Sequence, residues 1–235
     1  MRVIPTRYGA RLTDRGTFLS KVLRRPGPTH DVFDVLAAAV ACFAPGPRVS
    51  VLGFGGGGLI GPLRALGWAH PVRAVDLSAV GARVFRSLCS SWAGSVRIAR
   101  ADAVAWLRRE RAGIDVLVED LSVPGASGAT KPGISTGEVP RAAARKLARH
   151  GLFVVNGLPV DGRSWADVVG SWALPGRAVL EVGLARHENR IVLVGAALPP
   201  ARAASRRIRD ALARIGSAMA DDTSVRTFRK RRPSG

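Results

Sequence analysis

The sequence predicts an α/β chain built on an open, mostly parallel sheet with helices on both faces, and three observations lead to it. Short apolar runs alternate with helically spaced stretches from Val49 onward. The first run breaks into the glycine-rich turn Gly53-Phe-Gly-Gly-Gly-Gly58 before the pattern Leu59, Leu63, Leu66 resumes at helical intervals. Acids close the next three runs, at Asp76, Asp102 and Asp120.

Taken in order, Gly9 to Val22 reads as a β-hairpin around Asp14-Arg15-Gly16. A helix from Thr29 to Phe43 leads through Pro45-Gly-Pro47 into the first buried strand, carried by Val49, Val51 and Leu52. Gly53, Gly55, Gly56, Gly57 and Gly58 then allow positive φ and let a ligand approach the backbone. Amides at the start of the following helix should point at that ligand. A second strand, Pro71 to Asp76, ends in an acid 23 residues after Gly53, where a carboxylate can accept hydrogen bonds from ribose hydroxyls. Asp76 also reads as a helix N-cap ahead of the stretch that opens at Leu77.

The third strand is Val96 to Asp102, followed by an amphipathic stretch from Ala103 to Arg111. The fourth, Ile114 to Asp120, ends in Glu119 and Asp120 and runs into Leu121-Ser-Val-Pro124. Strand alternation points Glu119 away from Asp120. Because open parallel sheets bind ligands across the carboxyl ends of their strands, the glycine turn, Asp76, Asp102 and Asp120 should converge on one crevice.

Gly125 to Glu138, rich in Gly, Ser, Thr and Pro, reads as a mobile flap whose only charges are Lys131 and Glu138. A helix from Val139 to Arg149 follows, C-capped at His150-Gly151, then a fifth strand from Leu152 to Asn156. Ala178 to Leu184 and Asn189 to Leu198 should close the sheet as an antiparallel edge hairpin. A helix from Ala201 to Met219 and a basic cluster, Arg226 to Arg232, read as a helix and solvated tail.

From about Thr29 to Leu198 these residues resemble the spermidine synthases, polyamine aminopropyltransferases within the class I methyltransferase superfold. The resemblance implies a Rossmann-like, mostly parallel seven-stranded sheet with the antiparallel hairpin at its edge. It divides the chain into an N-terminal hairpin (1–28), a nucleotide-binding catalytic domain (29–200) and a C-terminal helix and tail (201–235). It implies that Gly53, Gly55, Gly56 and Gly57 hold the methionine part of S-adenosylmethionine or its decarboxylated form. Asp76, with Leu77, would bind the ribose side, and Asp102 and Ala103 would contact adenine. The acid often found inside the family's glycine turn is missing here.

The family's catalytic loop, Asp-Ser/Thr-Ser/Thr-Asp-Pro, is matched by Asp120-Leu121-Ser122-Val123-Pro124, so Asp120 is the implied base and Val123 stands where the second acid would hold a diamine's far ammonium. The family also surrounds the amine with Tyr and Gln, whereas this chain has no Gln and one Tyr, Tyr8. Where the family has a Tyr-His-Glu-like segment, the chain reads His30-Asp-Val-Phe33-Asp34.

Composition sets the outer limits. A chain of 235 residues can bury one sizeable core. No apolar run reaches the roughly 20 residues a membrane span needs, and the Arg-rich first residues do not read as a secretory signal, so a cytoplasmic protein is expected. Cys42 and Cys89 lie in apolar helical patterns and read as core. The four His are scattered without ligand spacing, and no metal is expected. The formal charge of +19 raises nucleic acid as a partner, but the charge is dispersed along the chain and a small-molecule amine or other nucleophilic acceptor is favoured. Exposed edge strands and the hairpin allow a homodimer. Three readings follow: aminopropyl transfer to an amine, methyl transfer to a small molecule or RNA, and a nucleotide-binding protein without turnover.

Overall fold

Alternate residues of a strand face opposite sides, and most runs of this chain are apolar on both, so the sheet requires cover on both faces. The computed structural model, which describes residues 1–125 and 128–228, shows how that cover is supplied. Strands β1 (Arg2–Thr6), β2 (Gly9–Asp14) and β3 (Thr17–Leu23) form a separate antiparallel sheet, so the expected hairpin gains a third strand. Helix α1 (Val32–Phe43) leads into β4 (Val49–Leu52), α2 (Ile60–Ala65), β5 (Val72–Asp76), α3 (Ala79–Cys89), β6 (Val96–Arg100), α4 (Ala103–Arg109) and β7 (Ile114–Glu119). A two-residue ladder, β8 (Val123–Pro124) with β9 (Ala129–Thr130), precedes α5 (Gly133–Thr136), α6 (Glu138–Lys146) and β10 (Leu147–Gly157). Then come α7 (Trp165–Trp172), β11 (Ala178–Leu184), β12 (Arg190–Gly195), α8 (Ala201–Arg214) and β13 (Thr223–Thr227).

The main sheet runs in the order β6-β5-β4-β7-β10-β12-β11-β13, parallel from β6 to β10 and antiparallel beyond. This is the Rossmann-like arrangement expected, with eight strands rather than seven. The added β13 covers the edge of β11, pairing Thr223 with Leu184 and Thr227 with Leu180. Its sequence, Thr-Ser-Val-Arg-Thr, holds one apolar residue and so carries no strand signal of its own. The rest of the basic cluster, from residue 229 onward, lies outside the described residues.

Val49, Val51, Val116, Val118, Val154 and Leu193 point to one face, where α1, α2, α3 and α8 pack. Leu52, Val75, Leu117, Phe153 and Val192 point to the other, against α4, α6 and α7. Each fully buried side chain of this size contributes about 1.5–3 kcal/mol relative to exposure. Cys89 is buried in the first cluster and Cys42 packs at its margin, half-buried.

Three expected boundaries move for physical reasons. Helix α1 opens at Val32, not Thr29, because the Asp34 carboxylate draws in the Thr29 N–H (2.7 Å), the Thr29 hydroxyl (2.6 Å) and the His30 N–H (2.9 Å), with His30 at φ 56. The Ser217 hydroxyl adds a fourth bond at 2.6 Å, so this fully buried acid is satisfied by hydrogen bonds and ties α1 to the C-terminal segment. Helix α8 stops at Arg214 instead of Met219, since Gly216 turns the chain at φ 67. His150-Gly151, expected as a C-cap, falls inside β10, which begins at Leu147 beside Ile114 and shifts register before Leu152. Among the described residues no helix is long and apolar enough to cross a membrane.

Candidate active site at the carboxyl ends of the strands

Strand β4 ends at Leu52 and Gly53 turns the chain at φ 82. A Cβ there would lie 2.6 Å from the Asp120 carbonyl oxygen, because the end of β7 passes directly beside it. The Asp120 N–H donates to the Leu52 carbonyl at 2.8 Å and fixes that approach. Glycine turn and acidic loop are therefore brought together by backbone contact.

Asp76 ends β5 half-buried. The Gly55 N–H donates to its Oδ2 at 2.7 Å and the Ser78 N–H to its Oδ1 at 2.8 Å. Each carboxylate oxygen keeps further accepting capacity. Ser78, not Asp76, caps α3, its hydroxyl accepting from the Val80 N–H. Leu77 is 71% exposed between Asp76 and that cap. Ala101 N–H donates to the Asp76 carbonyl at 3.1 Å, which places Asp102 one residue further along the neighbouring strand end. Asp102 is exposed and caps α4 through the Ala105 N–H at 2.8 Å, while Ala103 is buried at the start of that helix.

The amides expected to face a ligand at the start of α2 are turned inward instead. Gly57 N–H donates to the Phe54 carbonyl (2.7 Å), Gly58 N–H to the Ser20 hydroxyl (3.2 Å) and Ile60 N–H to the Gly57 carbonyl (2.9 Å). Protein also fills the space beside these glycines: Leu12 and Val22 at Gly56, Phe54 and Phe85 at Gly57, and Phe33 at Gly58. The N-terminal sheet packs on the turn, and that long-range contact leaves no trace in the local sequence.

Asp120 is a strongly perturbed acid. Burial pushes its carboxyl from 3.8 up to about 7, helped by the charges of Glu119 and Asp76 and opposed by a hydrogen bond from Asn156 and the charge of Lys131. Asn156 Nδ2 donates to Asp120 Oδ1 at 2.7 Å, and Asn189 Nδ2 donates to Asn156 Oδ1 at 2.8 Å. The second bond fixes which way the Asn156 amide faces. Neither asparagine was singled out as a site residue from the sequence. Their signal was a polar side chain closing an apolar strand beside β7, and another where the hairpin returns to the same end of the sheet.

Glu119 points away from Asp120 as alternation requires, and it meets Lys131 at 2.8 Å with both side chains 0% exposed. The carboxylate also accepts from the Leu121 N–H (3.0 Å) and the Ser135 hydroxyl (2.7 Å), and Lys131 donates to the Leu121 carbonyl at 2.6 Å. The segment expected as a flap is thus pinned beneath the acidic loop by its own lysine; Ala126 and Ser127 lie outside the described residues. Val123 is 39% exposed and pairs with Thr130 in the β8–β9 ladder. Asp34, in the segment compared with the family's Tyr-His-Glu, is engaged by Thr29, His30 and Ser217.

A half-buried acid poised near neutrality, backed by two amides and adjoining a glycine turn and a second carboxylate, can accept a proton from a nucleophile positioned over the turn. Asp76, Leu77, Asp102 and Ala103 offer acceptors, an apolar surface and a helix start on the side where a nucleoside would lie. The residues fit the nucleoside of a sulfonium nucleotide, and the turn, lacking an acid, supplies no carboxylate for an amino group at its tail. Among the described residues no group of three or more His, Cys, Asp or Glu is placed to hold a metal ion.

The parallel sheet with helices on both faces and an antiparallel edge is a Rossmann-like fold. Among solved structures, the chain superposes on the spermidine synthase of Thermotoga maritima with a TM-score of 0.64 and 12% identity, covering 91% of this chain and 73% of that one. A spermidine synthase in complex with the transition-state analogue AdoDATO gives a TM-score of 0.65 and 13% identity over 91% of this chain and 74% of that one. TrmN of Thermus thermophilus gives 0.51 and 22% over 68% and 47%. Neither a protein-family profile nor a curated protein matches the sequence.

Proposed function

We propose that the chain is a transferase acting on a sulfonium nucleotide, and that it moves the aminopropyl group of decarboxylated S-adenosylmethionine to an amine with Asp120 as the base. The nucleotide would supply an activated carbon, attack by the amine nitrogen releasing a neutral thioether as the carbon–sulfur bond breaks. The protein then has two tasks: to hold the amine in line and to take its proton. The observation that carries this reading is Asp120 itself, raised to about 7 by burial and held by Asn156 against the glycine turn. Asp76, Leu77, Asp102 and Ala103 would hold the nucleoside in the positions the family resemblance assigns them. Of the glycines it assigns to the tail, Gly53, Gly55, Gly56 and Gly57, the last two are packed against Leu12, Val22, Phe54 and Phe85, leaving Gly53 and Gly55 for that role. The likeness to spermidine synthases over nine-tenths of the chain supports aminopropyl over methyl transfer.

Methyl transfer is the second reading, and one observation favours it. Val123 carries no charge and Glu119 is bound to Lys131, so neither can hold the distal ammonium of a diamine. An acceptor with a single amine, or a different nucleophile, suits that loop better. The test is product analysis by mass spectrometry after incubation with each nucleotide and panels of monoamines, diamines and RNA, for wild type and Asp120→Asn. Aminopropylated amine made only by the wild type supports the first reading; methylated product supports the second; bound nucleotide with no product from any acceptor overturns both in favour of a binding protein.

A further inference from the structure

The positive charge of the chain is dispersed in sequence, but acids accompany it unevenly. Beyond residue 25 the chain has 29 Arg and Lys against 16 acids, and some of those cations are paired: Arg48 with Asp115, Arg73 with Glu110, Arg108 with Glu138, Arg186 with Asp222, and Arg190 and Arg226 with Glu181. The first 25 residues differ, with seven Arg and Lys against one acid. That acid, Asp14, is held by the terminal amino group at 2.8 Å.

The N-terminal sheet turns these charges to one side. Leu12 and Val22 face the glycine turn at Gly56, so their strand neighbours Arg11 and Lys21, paired across β2 and β3, face the other way. There they line a groove of about 740 Å³ with Arg7, Tyr8, Arg24 and Arg25, and no acid lines it. Its shape is fixed from within. The Arg24 N–H donates to the Tyr8 carbonyl at 2.9 Å, and Lys21 Nζ donates to the Thr29 carbonyl at 2.5 Å. None of its five cationic side chains makes an ion pair among the described residues. Tyr8, the chain's one tyrosine, is 67% exposed there, with the Arg7 guanidinium 5.3 Å from its ring centroid.

We infer that this groove binds single-stranded nucleic acid: the unpaired guanidinium groups take successive phosphates, and Tyr8 offers an exposed ring on which a base stacks. A run of cations without acids gains affinity by releasing counterions from a phosphate backbone. An exposed aromatic among them is the feature that separates an unpaired strand, whose bases are free to stack, from a duplex or a lone anion. Because the groove lies on the face of the sheet turned away from the glycine turn, it can be occupied while the crevice holds its own ligands. This inference does not depend on which group the crevice transfers.

The test is fluorescence anisotropy of the full chain with a labelled oligoadenylate across a salt series. The expected result is binding whose logarithm falls linearly with log salt. Arg7→Gln/Arg11→Gln/Arg24→Gln should weaken it at least about tenfold and reduce the slope by roughly two to three. Tyr8→Ala should weaken it about fivefold or more at unchanged slope, as loss of a stacked base does. Circular-dichroism melts verify that each variant is folded; if the triple variant unfolds, the single changes Arg7→Gln and Arg24→Gln are read in its place. Equal loss from Arg202→Gln/Arg206→Gln, exposed on α8, would show binding by net charge alone and overturn the inference. So would equal binding of polyglutamate, which would mark a protein surface, or no binding at low salt.

Discussion

The two halves of the crevice are built by different means. On the nucleotide side, the acids at or just past the ends of β5 and β6 each take a partner close in sequence: Asp76 accepts from Ser78, and Asp102 from Ala105, with Gly55 reaching Asp76 from 21 residues away. On the acceptor side most partners are distant, the Leu121 N–H on Glu119 being the local one. Asp120 is held by Asn156, Asn156 by Asn189, and Glu119 by Lys131 and Ser135, across separations of 12 to 36 residues. The first half reads as spacing along a chain; the second exists only after the sheet is assembled. Ligand-holding groups can thus be placed by strand ends, whereas a carboxyl tuned to neutrality needs burial and partners from several elements.

The acceptor half should break most visibly. Asp120→Asn is expected to lower turnover by about 10²–10⁴-fold, the range for loss of a general base, with nucleotide affinity changed by no more than about threefold. Because its folded pKa of about 7 lies above the unfolded 3.8, Asp120 binds its proton more tightly when folded. Its contribution to stability is therefore present below about pH 4 and is lost as pH rises through about 7. Asp120→Asn should accordingly melt higher than wild type at pH 8 and match it at pH 4. Equal melting shifts at both pH values would contradict the burial-driven shift.

Next in size is the buried ion pair. Glu119→Gln leaves Lys131 charged without its partner, and unfolding should become easier by about 3–5 kcal/mol. Adding Lys131→Met to Glu119→Gln should recover most of that, measured by chemical denaturation. A single variant as stable as wild type would mean that Lys131 does not pin the segment.

The nucleotide half should respond more simply. Asp76→Asn removes the charge that accepts from Gly55 and stands where a ribose would donate, so affinity for the nucleotide should drop about 10–100-fold by calorimetry. Turnover at saturating nucleotide should fall much less. If turnover drops as steeply as with Asp120→Asn, the division of labour between the halves is wrong.

The smallest effect sharpens the comparison most. Asn156 lowers the Asp120 pKa by hydrogen bonding its charged form, so in Asn156→Leu the rise of kcat/KM with pH, centred near 7 in wild type, should move upward by about 0.5–1 pH unit. A fall in kcat/KM without that movement would indicate packing alone.

How much was legible follows the same line. Alternating apolar runs gave the order of strands and helices, and the acids at 76, 102 and 120 marked the carboxyl edge of the sheet correctly. The glycine run is expected to let a ligand approach, yet Gly56 abuts Leu12 and Val22 of the N-terminal sheet, Gly57 abuts Phe54 of the turn and Phe85 of α3, and Gly58 abuts Phe33 of α1. A contact between residue 22 and residue 56 has no local signature. Lys131 falls in the segment expected as a mobile flap, and its side chain is fully buried, since its partner, Glu119, belongs to another element. β13 was missed because an edge strand facing β11 through its backbone needs little hydrophobic pattern.

The proposal that this crevice takes the decarboxylated sulfonium nucleotide is tested most directly by calorimetric titration with S-adenosylmethionine and with its decarboxylated form at matched salt. The account predicts clearly tighter binding of the decarboxylated nucleotide, weakened in Asp76→Asn and retained in Asp120→Asn. Tighter binding of S-adenosylmethionine, or no binding of either, would contradict it.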